Sequence, residues 1–212
     1  MELLPHGPDG IAVRFVDGAP AAARLARAAE WLRRRAEVVD AYAAFGELLV
    51  VARHPAELPG LRRVVPGALA EGAMDEDILG LSDSREHVIE VRYDGEDLAA
   101  VARWAGLSVE EVCGSHTGAR YEVAAVGFRP GFAYLTGLPE ALALPRRSVP
   151  RPRVAAGSVA IAAGMACVYP SAGPGGWHLL GHTAYALSGG REAASPRLRV
   201  GDRVRFVDLD AR

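Results

Sequence analysis

Apolar positions near the start of the chain follow strand and helix spacings in turn. Ile11 and Val13 alternate with smaller or polar residues, which predicts a half-buried strand. Residues 48–51 are continuously apolar, as in a central strand, and residues 59–72 predict a second helix. Between the two strands, residues 21–36 predict an amphipathic helix whose apolar stripe consists of Leu25, Ala28, Ala29, Leu32 and Ala36. This order of strands and helices predicts a ferredoxin-like α/β domain.

A polar stretch at residues 80–86 marks a change in the pattern and predicts two domains, 1–82 and 83–212. From residue 121 onward, short apolar runs are separated by turns rich in proline and glycine. Many short strands with dense turn signals are typical of an antiparallel barrel or sandwich. We therefore expect an α+β protein whose second domain is mostly β.

One strand and two helices are predicted between the boundary and this β-rich part. Residues 89–93 alternate as a strand does, and residues 96–105 have helical spacing and stop at Gly106. Ser108 and Glu111 have the spacing of a capping box, which predicts the start of a further helix. No paired-carboxylate site is expected, because capping and solvation explain the acidic residues here: Asp94, Glu96, Asp97, Glu110 and Glu111.

Composition excludes several classes of function. The 24 basic and 26 acidic residues give a net charge of −2, so we expect no nucleic-acid partner. No segment reaches the roughly 20 apolar residues of a membrane-spanning helix, so no membrane partner is expected. The two cysteines, Cys113 and Cys167, cannot form a disulfide framework, and we expect a cytoplasmic protein.

Every basic residue other than histidine is arginine, and the sequence has no Lys, Asn or Gln. The chain therefore has no Walker A phosphate loop, no Schiff-base lysine and no biotinyl-lysine. A Ser–Ser–Lys amidase site and a Cys–His–Asn triad are equally excluded.

Aromatic residues and glycines are concentrated in residues 127–135. Phe128, Phe132 and Tyr134 lie around Gly127 and Gly131. Glycines allow close approach of a backbone or a ligand, and aromatic rings provide flat apolar walls. The segment is either a tight barrel corner with aromatics in the core or one wall of a binding site.

Arginines and prolines alternate in residues 145–153, where four arginines fall within eight positions. The prolines hold the chain extended, so Arg151 and Arg153 point to the same side. Such a pair could bind a carboxylate or a phosphate. The alternative is a solvated surface loop.

Three histidines are candidate site residues. His116 lies in a predicted polar turn, where it could move a proton or contact an anion, or simply end a helix. His178 and His182 imitate half of a zinc-protease motif, but on a strand they would lie about 13 Å apart. Because that separation is too long for one ion, we expect no metal on this chain.

Four motifs together resemble a known family. They are His116-Thr117 before Tyr121-Glu122-Val123, GFxPGFxYLxGL at 127–138, PRxxxPRxRVxAGSVAIA at 145–162, and Tyr169-Pro170 through Gly176-Trp177 to Thr183. In this order they resemble the B subunit of the bacterial ATP-dependent 5-oxoprolinase, a family also called allophanate hydrolase subunit 1 or kinase A inhibitor. The resemblance runs from about Val88 to Val207.

The resemblance implies an N-terminal α/β domain followed by a cyclophilin-like β-barrel of the carboxyltransferase type. It implies a protein that acts with two partners, the homologous C subunit and the A subunit of 5-oxoprolinase, to convert 5-oxo-L-proline to L-glutamate, with ATP as the cofactor of the complex. Two alternatives stay open. One is the carboxyltransferase half of a biotin-dependent urea or amide carboxylase, with the biotin on another chain. The other is a non-catalytic inhibitor of a sensor histidine kinase.

Site residues follow from the same resemblance, position by position. It implies catalytic roles for His116 and Arg151, and substrate binding by Pro130, Phe132, Tyr134, Arg153, Ser158, Tyr169, Gly176 and Trp177. The chain departs from the family pattern at Ala155, at residues 165–167 and at His182. These departures change polar groups and therefore bear on which substrate is bound.

Overall fold

The computed structural model describes residues 1–16, 18, 20–70, 84–187 and 197–211. The chain divides into two compact units, Met1–Arg85 and Glu86–Arg212. The domain boundary predicted between residues 82 and 83 lies outside the described residues.

The first unit consists of one antiparallel sheet with two helices. The sheet has the strand order β1-β2-β4-β3, and both helices contact it. In chain order the elements are β1 (Glu2–His6), β2 (Gly10–Arg14), α1 (Ala22–Arg33), β3 (Val38–Ala44), β4 (Glu47–Ala52), a 3-10 turn (Pro55–Glu57) and α2 (Leu58–Ala68).

The predicted strands and helices of this unit are present, but the ferredoxin-like arrangement is not confirmed. Two strands precede α1 instead of one, because the edge strand β1 comes first in the chain. Helix α1 buries four of the five predicted stripe residues, whereas Ala36 is exposed and follows the helix. The second predicted helix is α2, which contains Pro66 near its end.

The second unit is built mainly from a seven-stranded sheet of order β12-β9-β10-β7-β6-β13-β5, with a separate pair β11-β8. Its elements are β5 (Glu86–Val91), α3 (Leu98–Ala105), α4 (Val109–Gly118), β6 (Tyr121–Val126), β7 (Ala133–Thr136), a 3-10 turn (Glu140–Leu142), β8 (Arg151–Val154), β9 (Ser158–Ala162), β10 (Met165–Val168), β11 (Gly173–Gly175), β12 (His178–His182) and β13 (Arg203–Asp208).

The ends of this sheet meet, so that it forms a nearly closed barrel. Arg92, directly after β5, exchanges backbone hydrogen bonds of 2.8 and 2.9 Å with His182 at the end of β12. Glycines allow this approach, because a Cβ at Gly181 would lie 2.0 Å from the Arg92 carbonyl oxygen and one at Gly95 would lie 2.3 Å from the Leu179 carbonyl oxygen. The predicted β-barrel is thus present, consistent with a cyclophilin-like barrel.

Alternate residues of the strands face opposite sides of the barrel sheet. On β9, Val159 and Ile161 pack in the larger cluster, which also contains the apolar residues of α3 and α4. Ala160 and Ala162 of the same strand belong to a second cluster on the other face. That second face carries the aromatic residues of the candidate site.

Helix α3 ends, and helix α4 begins, where the sequence predicts. Helix α3 stops at Gly106, whose φ of 68° is left-handed. Helix α4 begins with the predicted capping box, in which Ser108 Oγ accepts from the Glu111 amide at 3.1 Å and the Glu111 carboxylate accepts from the Ser108 amide at 2.7 Å. Within the described part of the chain, no helix is long and apolar enough to span a membrane.

Candidate functional site

Four aromatic side chains form a wall on the second face of the barrel sheet. Phe132 lies at its centre, with ring centroids 4.9 Å from Tyr134, 5.5 Å from Tyr169 and 6.1 Å from Trp177. The rings meet mainly edge to face, which is a favourable arrangement for aromatic quadrupoles. The alternation of β7 places Tyr134 on this face, while Tyr169 and Trp177 lie at the ends of β10 and β12. We call these four residues the aromatic wall.

Three residues of the arginine–proline segment, residues 145–153, line a cavity of about 150 Å³ together with the aromatic wall. The cavity is also lined by Phe128, Arg146, Arg147, Pro150, Pro174, Gly175 and Gly176. Two segments that are separate in the sequence, the aromatic turn and the arginine–proline run, therefore meet around one hollow.

Five of the residues implied by the family resemblance line this cavity: Phe132, Tyr134, Tyr169, Gly176 and Trp177. Pro130 and Arg153 are exposed and do not line it. His116, Arg151 and Ser158 also lie outside its lining, each with partners of its own.

Arg151 does not point into the cavity but pairs with a buried carboxylate. Its Nη2 donates to Asp97 Oδ1 at 2.8 Å and lies 3.2 Å from a Glu96 carboxylate oxygen. Asp97 Oδ2 accepts from the Leu179 amide of β12 at 2.8 Å. The fork of Arg151 and Arg153 predicted from the extended segment is therefore wrong, because Arg151 is neutralised inside the protein and Arg153 is exposed to solvent.

Asp97 also holds Arg147, a lining residue of the cavity, through a 2.9 Å hydrogen bond from Arg147 Nη1 to Oδ1. Burial raises the pKa of Asp97, but the hydrogen bonds from Arg151 and Leu179 and the charges of both arginines outweigh burial. The pKa therefore lies below its ordinary value of 3.8, and the carboxylate is charged at neutral pH. The sequence-based explanation of this residue by capping is wrong, because its side chain makes no capping hydrogen bond.

The environment of Arg146 differs from that of Arg147 and Arg151. Its guanidinium lies over the Trp177 ring, 5.8 Å from the ring centroid. Among the residues that the structure describes, none forms a hydrogen bond or an ion pair with it. Its charge also acts on Cys167, which is buried in the same cluster as Phe132 and Trp177: burial raises the pKa of the Cys167 thiol, and Arg146 opposes that shift.

The position of the Tyr169 ring requires glycine at residue 175. A Cβ at Gly175 would lie 2.2 Å from the Tyr169 hydroxyl oxygen, so only glycine leaves room for this ring. Burial raises the pKa of Tyr169 to about 12, so the hydroxyl is neutral and can donate a hydrogen bond at neutral pH.

His116 lies within helix α4 and not in a polar turn, so its predicted location is wrong. The side chain is fully buried, with its ring 4.5 Å from that of Phe206 and its Nδ1 2.7 Å from the Tyr93 hydroxyl. Burial lowers the pKa of His116 from 6.5 to about 3. A neutral, enclosed imidazole cannot contact a ligand in the cavity described above.

Ser158, His182 and Asp94 form a chain of polar contacts at the barrel seam. Asp94 Oδ1 lies 3.0 Å from His182 Nδ1, and His182 Nε2 lies 3.4 Å from Ser158 Oγ. The order resembles a Ser–His–Asp triad, but Ser158 is fully buried and so cannot reach a substrate. The contacts instead tie β9 and β12 to the loop that closes the barrel.

No group of three or more His, Cys, Asp or Glu side chains in the described residues could hold a metal ion. His178 and His182 have separate partners, since His178 Nε2 lies 2.9 Å from the Pro145 carbonyl oxygen. What the cavity offers chemically is a flat apolar wall and a guanidinium.

Sequence reasoning gave no individual role to Arg146, Arg147 or Asp97. The two arginines belong to the arginine–proline motif that was singled out, and Phe128 was named only as part of the aromatic segment. Asp97 gave no local signal, because its arginine partners are 50 and 54 residues away in sequence.

The sequence matches a known family model, the carboxyltransferase domain, subdomain C and D, over residues 1–196. The match includes the first unit as well as the barrel. Among curated proteins, the 5-oxoprolinase B subunit of Escherichia coli O157:H7 is 39% identical over 189 residues, covering 87% of this chain and 84% of the relative. That of Bacillus subtilis (strain 168) is 43% identical over 152 residues, covering 70% of this chain but 62% of the relative's length.

Two solved structures are similar in fold. The crystal structure of TTHA0988 has a TM-score of 0.78 at 38% identity, covering 96% of this chain but only 40% of that chain. This chain therefore spans less than half of TTHA0988. The Kluyveromyces lactis urea carboxylase has a TM-score of 0.67 at 16% identity, covering 98% of this chain and 21% of that chain, a likeness of fold alone.

Proposed function

Because the chain belongs to the family of the 5-oxoprolinase B subunit and carries its carboxyltransferase domain, subdomain C and D, we propose that it is one component of a 5-oxoprolinase complex. The complex hydrolyses the ring amide of 5-oxo-L-proline to give L-glutamate and couples this step to ATP hydrolysis. The observation that carries the proposal is the 39% identity to the Escherichia coli B subunit across 84% of that relative.

Within the complex, we assign substrate binding to this chain. The sequence has no lysine and thus no Walker A loop, which fits a chain that needs its partners, the A and C subunits, for the nucleotide step. The cavity between the aromatic wall and the arginine–proline segment supplies a place where a small substrate can be oriented. Orientation alone can account for a large part of rate enhancement.

Reconstitution tests the proposal. The purified chain is mixed with its candidate A and C subunits, and glutamate formation from 5-oxo-L-proline is followed with and without ATP. We expect glutamate only when all three proteins and ATP are present. Full activity from the two partner subunits alone would contradict the proposal.

A second candidate is favoured by the fold likeness to urea carboxylase. The chain would then be half of a carboxyltransferase that acts on a urea-like amide, with carboxybiotin carried by another protein because this chain has no lysine to modify. A biotin carrier that co-purifies with the chain on avidin, together with amide-dependent loss of the biotin carboxyl group, would support this candidate. Absence of the chain from avidin eluates would exclude it.

A further inference from the structure

The cavity contains one unpaired positive charge. Two arginines line it, and no acidic side chain is among its described lining residues. Arg147 pairs with Asp97, and Arg151 pairs with Asp97 and Glu96. Arg146 is exposed at the cavity and contacts the face of Trp177, and an aromatic face leaves the hydrogen-bonding edge of a guanidinium available.

The aromatic wall fits a flat ligand. Phe132, Tyr134 and Trp177 line the hollow, and the ring centroids of Tyr134 and Trp177 lie 6.1 Å apart. The volume of about 150 Å³ is well below the roughly 300–1,000 Å³ of sites for drug-sized ligands. A ligand of this site is therefore small and has a planar apolar part.

We propose that this cavity binds a small, flat monocarboxylate, whose carboxylate pairs with Arg146 and whose ring packs on the aromatic wall. A guanidinium recognises a carboxylate through two parallel hydrogen bonds, which one unpaired arginine can supply. Polyphosphate sites instead gather several backbone amides or helix N-termini, and no lining residue of this cavity lies in a helix. The site thus selects a carboxylate over a nucleotide.

This inference rests on the proposed function only in the choice of one probe. The first pair of probes, pyrrole-2-carboxylate and the neutral pyrrole-2-carboxamide, tests the ligand class independently of any reaction. The second pair, 5-oxo-L-proline and its amide, tests whether the substrate of the proposed complex occupies the same site. ATP and inorganic phosphate are added as competitors.

Calorimetric titration of the full chain measures the affinities. We expect both carboxylates to bind at least about tenfold more tightly than their amides, because a charge-assisted pair is lost in the amides. Arg146→Ala removes this difference, and Arg146→Lys restores part of it, since lysine keeps the charge but not the paired hydrogen bonds. Arg103→Ala, which removes an exposed arginine on α3, leaves the affinities within about twofold.

Several outcomes would overturn the inference. Equal affinity for acid and amide, no binding of pyrrole-2-carboxylate at millimolar concentration, or competition by ATP would each do so. Loss of binding in Arg153→Ala but not in Arg146→Ala would show that the exposed arginine binds the ligand. Circular dichroism of each variant separates loss of binding from loss of folding.

The two proposals can fail separately. If pyrrole-2-carboxylate binds through Arg146 and 5-oxo-L-proline does not bind, the inferred ligand class is supported. This cavity is then not the substrate site of the proposed complex. If the reconstituted complex turns over 5-oxo-L-proline with an unchanged KM in Arg146→Ala, the function stands and this site is not where its substrate binds.

Discussion

Asp97 and Arg151 form a buried ion pair that joins the start of helix α3 to the arginine–proline segment. Arg151 Nη2 donates to Asp97 Oδ1 at 2.8 Å, and the two side chains are 14% and 7% exposed. The same carboxylate oxygen accepts from Arg147, which lines the cavity. One acidic residue thus holds two of the three nearby guanidinium groups, and Glu96, 3.2 Å from Arg151, supplies the second negative charge.

Replacing Asp97 by alanine is expected to lower the free energy of unfolding by about 3–5 kcal/mol. Removal of Asp97 leaves Arg147 without a counter-charge and leaves Arg151 only the exposed Glu96 carboxylate at 3.2 Å. Urea unfolding of the purified chain measures this. Asp210→Ala is the matched control, because Asp210 is 68% exposed and lies 3.9 Å from Arg92, and its loss should cost less than about 1 kcal/mol. Equal losses in the two variants would show that the buried pair is unimportant.

His116 makes stability fall on acidification. The unfolded chain binds a proton at this residue near its ordinary pKa of 6.5, whereas the folded chain does so only near pH 3. Between these values the unfolded state binds more protons, so lowering the pH favours unfolding. The expected loss approaches ~1.4 kcal/mol for each pH unit below 6.5. The pKa values of Asp97 and Glu37 are also lowered on folding, and these carboxylates add their own losses below about pH 5, so the window from pH 6 to pH 5 reports on His116.

A double substitution tests this assignment. His116→Phe with Tyr93→Phe removes both members of the 2.7 Å hydrogen bond, and no polar group of this pair is left unsatisfied. The dependence of unfolding free energy on pH should be flatter for this variant by the slope that His116 contributes. Tyr93→Phe alone is the control: it keeps the imidazole, whose pKa is lowered by burial, and should keep the slope. An unchanged slope in the double variant would refute the role of His116.

The barrel and its first helices could be predicted because local patterns determine them. The capping box at Ser108 and the stop at Gly106 depend on neighbouring residues only, and both are present. The end of α4 could not be predicted in the same way, because Gly114 and Gly118 are poor helix formers. In this last part of α4, the His116 ring packs on Phe206, which is 90 residues away in sequence. Sequence reasoning therefore placed His116 in a turn.

Two strands of the first unit were missed, β1 and β3, and both lie at the edges of its sheet. Strand β1 contains Pro5, which argues against a central strand but is tolerated at an edge, where β1 lies.

The aromatic wall was found because glycines and aromatics coincide in one motif. The arginines were found only as a group, since which one is paired depends on Asp97, which contacts them from another part of the sequence.

Gly175 and Gly176 should respond differently to alanine although they are adjacent. A Cβ at Gly175 would overlap the Tyr169 hydroxyl at 2.2 Å, whereas one at Gly176 has its nearest neighbour at 3.7 Å. We expect Gly175→Ala to lower the free energy of unfolding by about 1–3 kcal/mol and Gly176→Ala to change it little. Tyr169→Phe should partly rescue Gly175→Ala, because the phenyl ring lacks the clashing oxygen. No rescue, or equal effects at the two glycines, would contradict this account of the cavity.

Closure of the barrel should fail first at Gly181. An added Cβ there would lie 2.0 Å from the Arg92 carbonyl oxygen, so alanine must push apart the two backbone hydrogen bonds between Arg92 and His182. We expect Gly181→Ala to destabilise the protein by about 1–3 kcal/mol or more. Hydrogen exchange at the amides of Arg92 and His182 should accelerate more than exchange within β9 and β10. Gly127→Ala, where an added Cβ meets nothing within 4 Å, is the control and should leave these exchange rates unchanged. Unaltered protection at the seam in Gly181→Ala would mean that the Arg92–His182 contact does not hold the barrel closed.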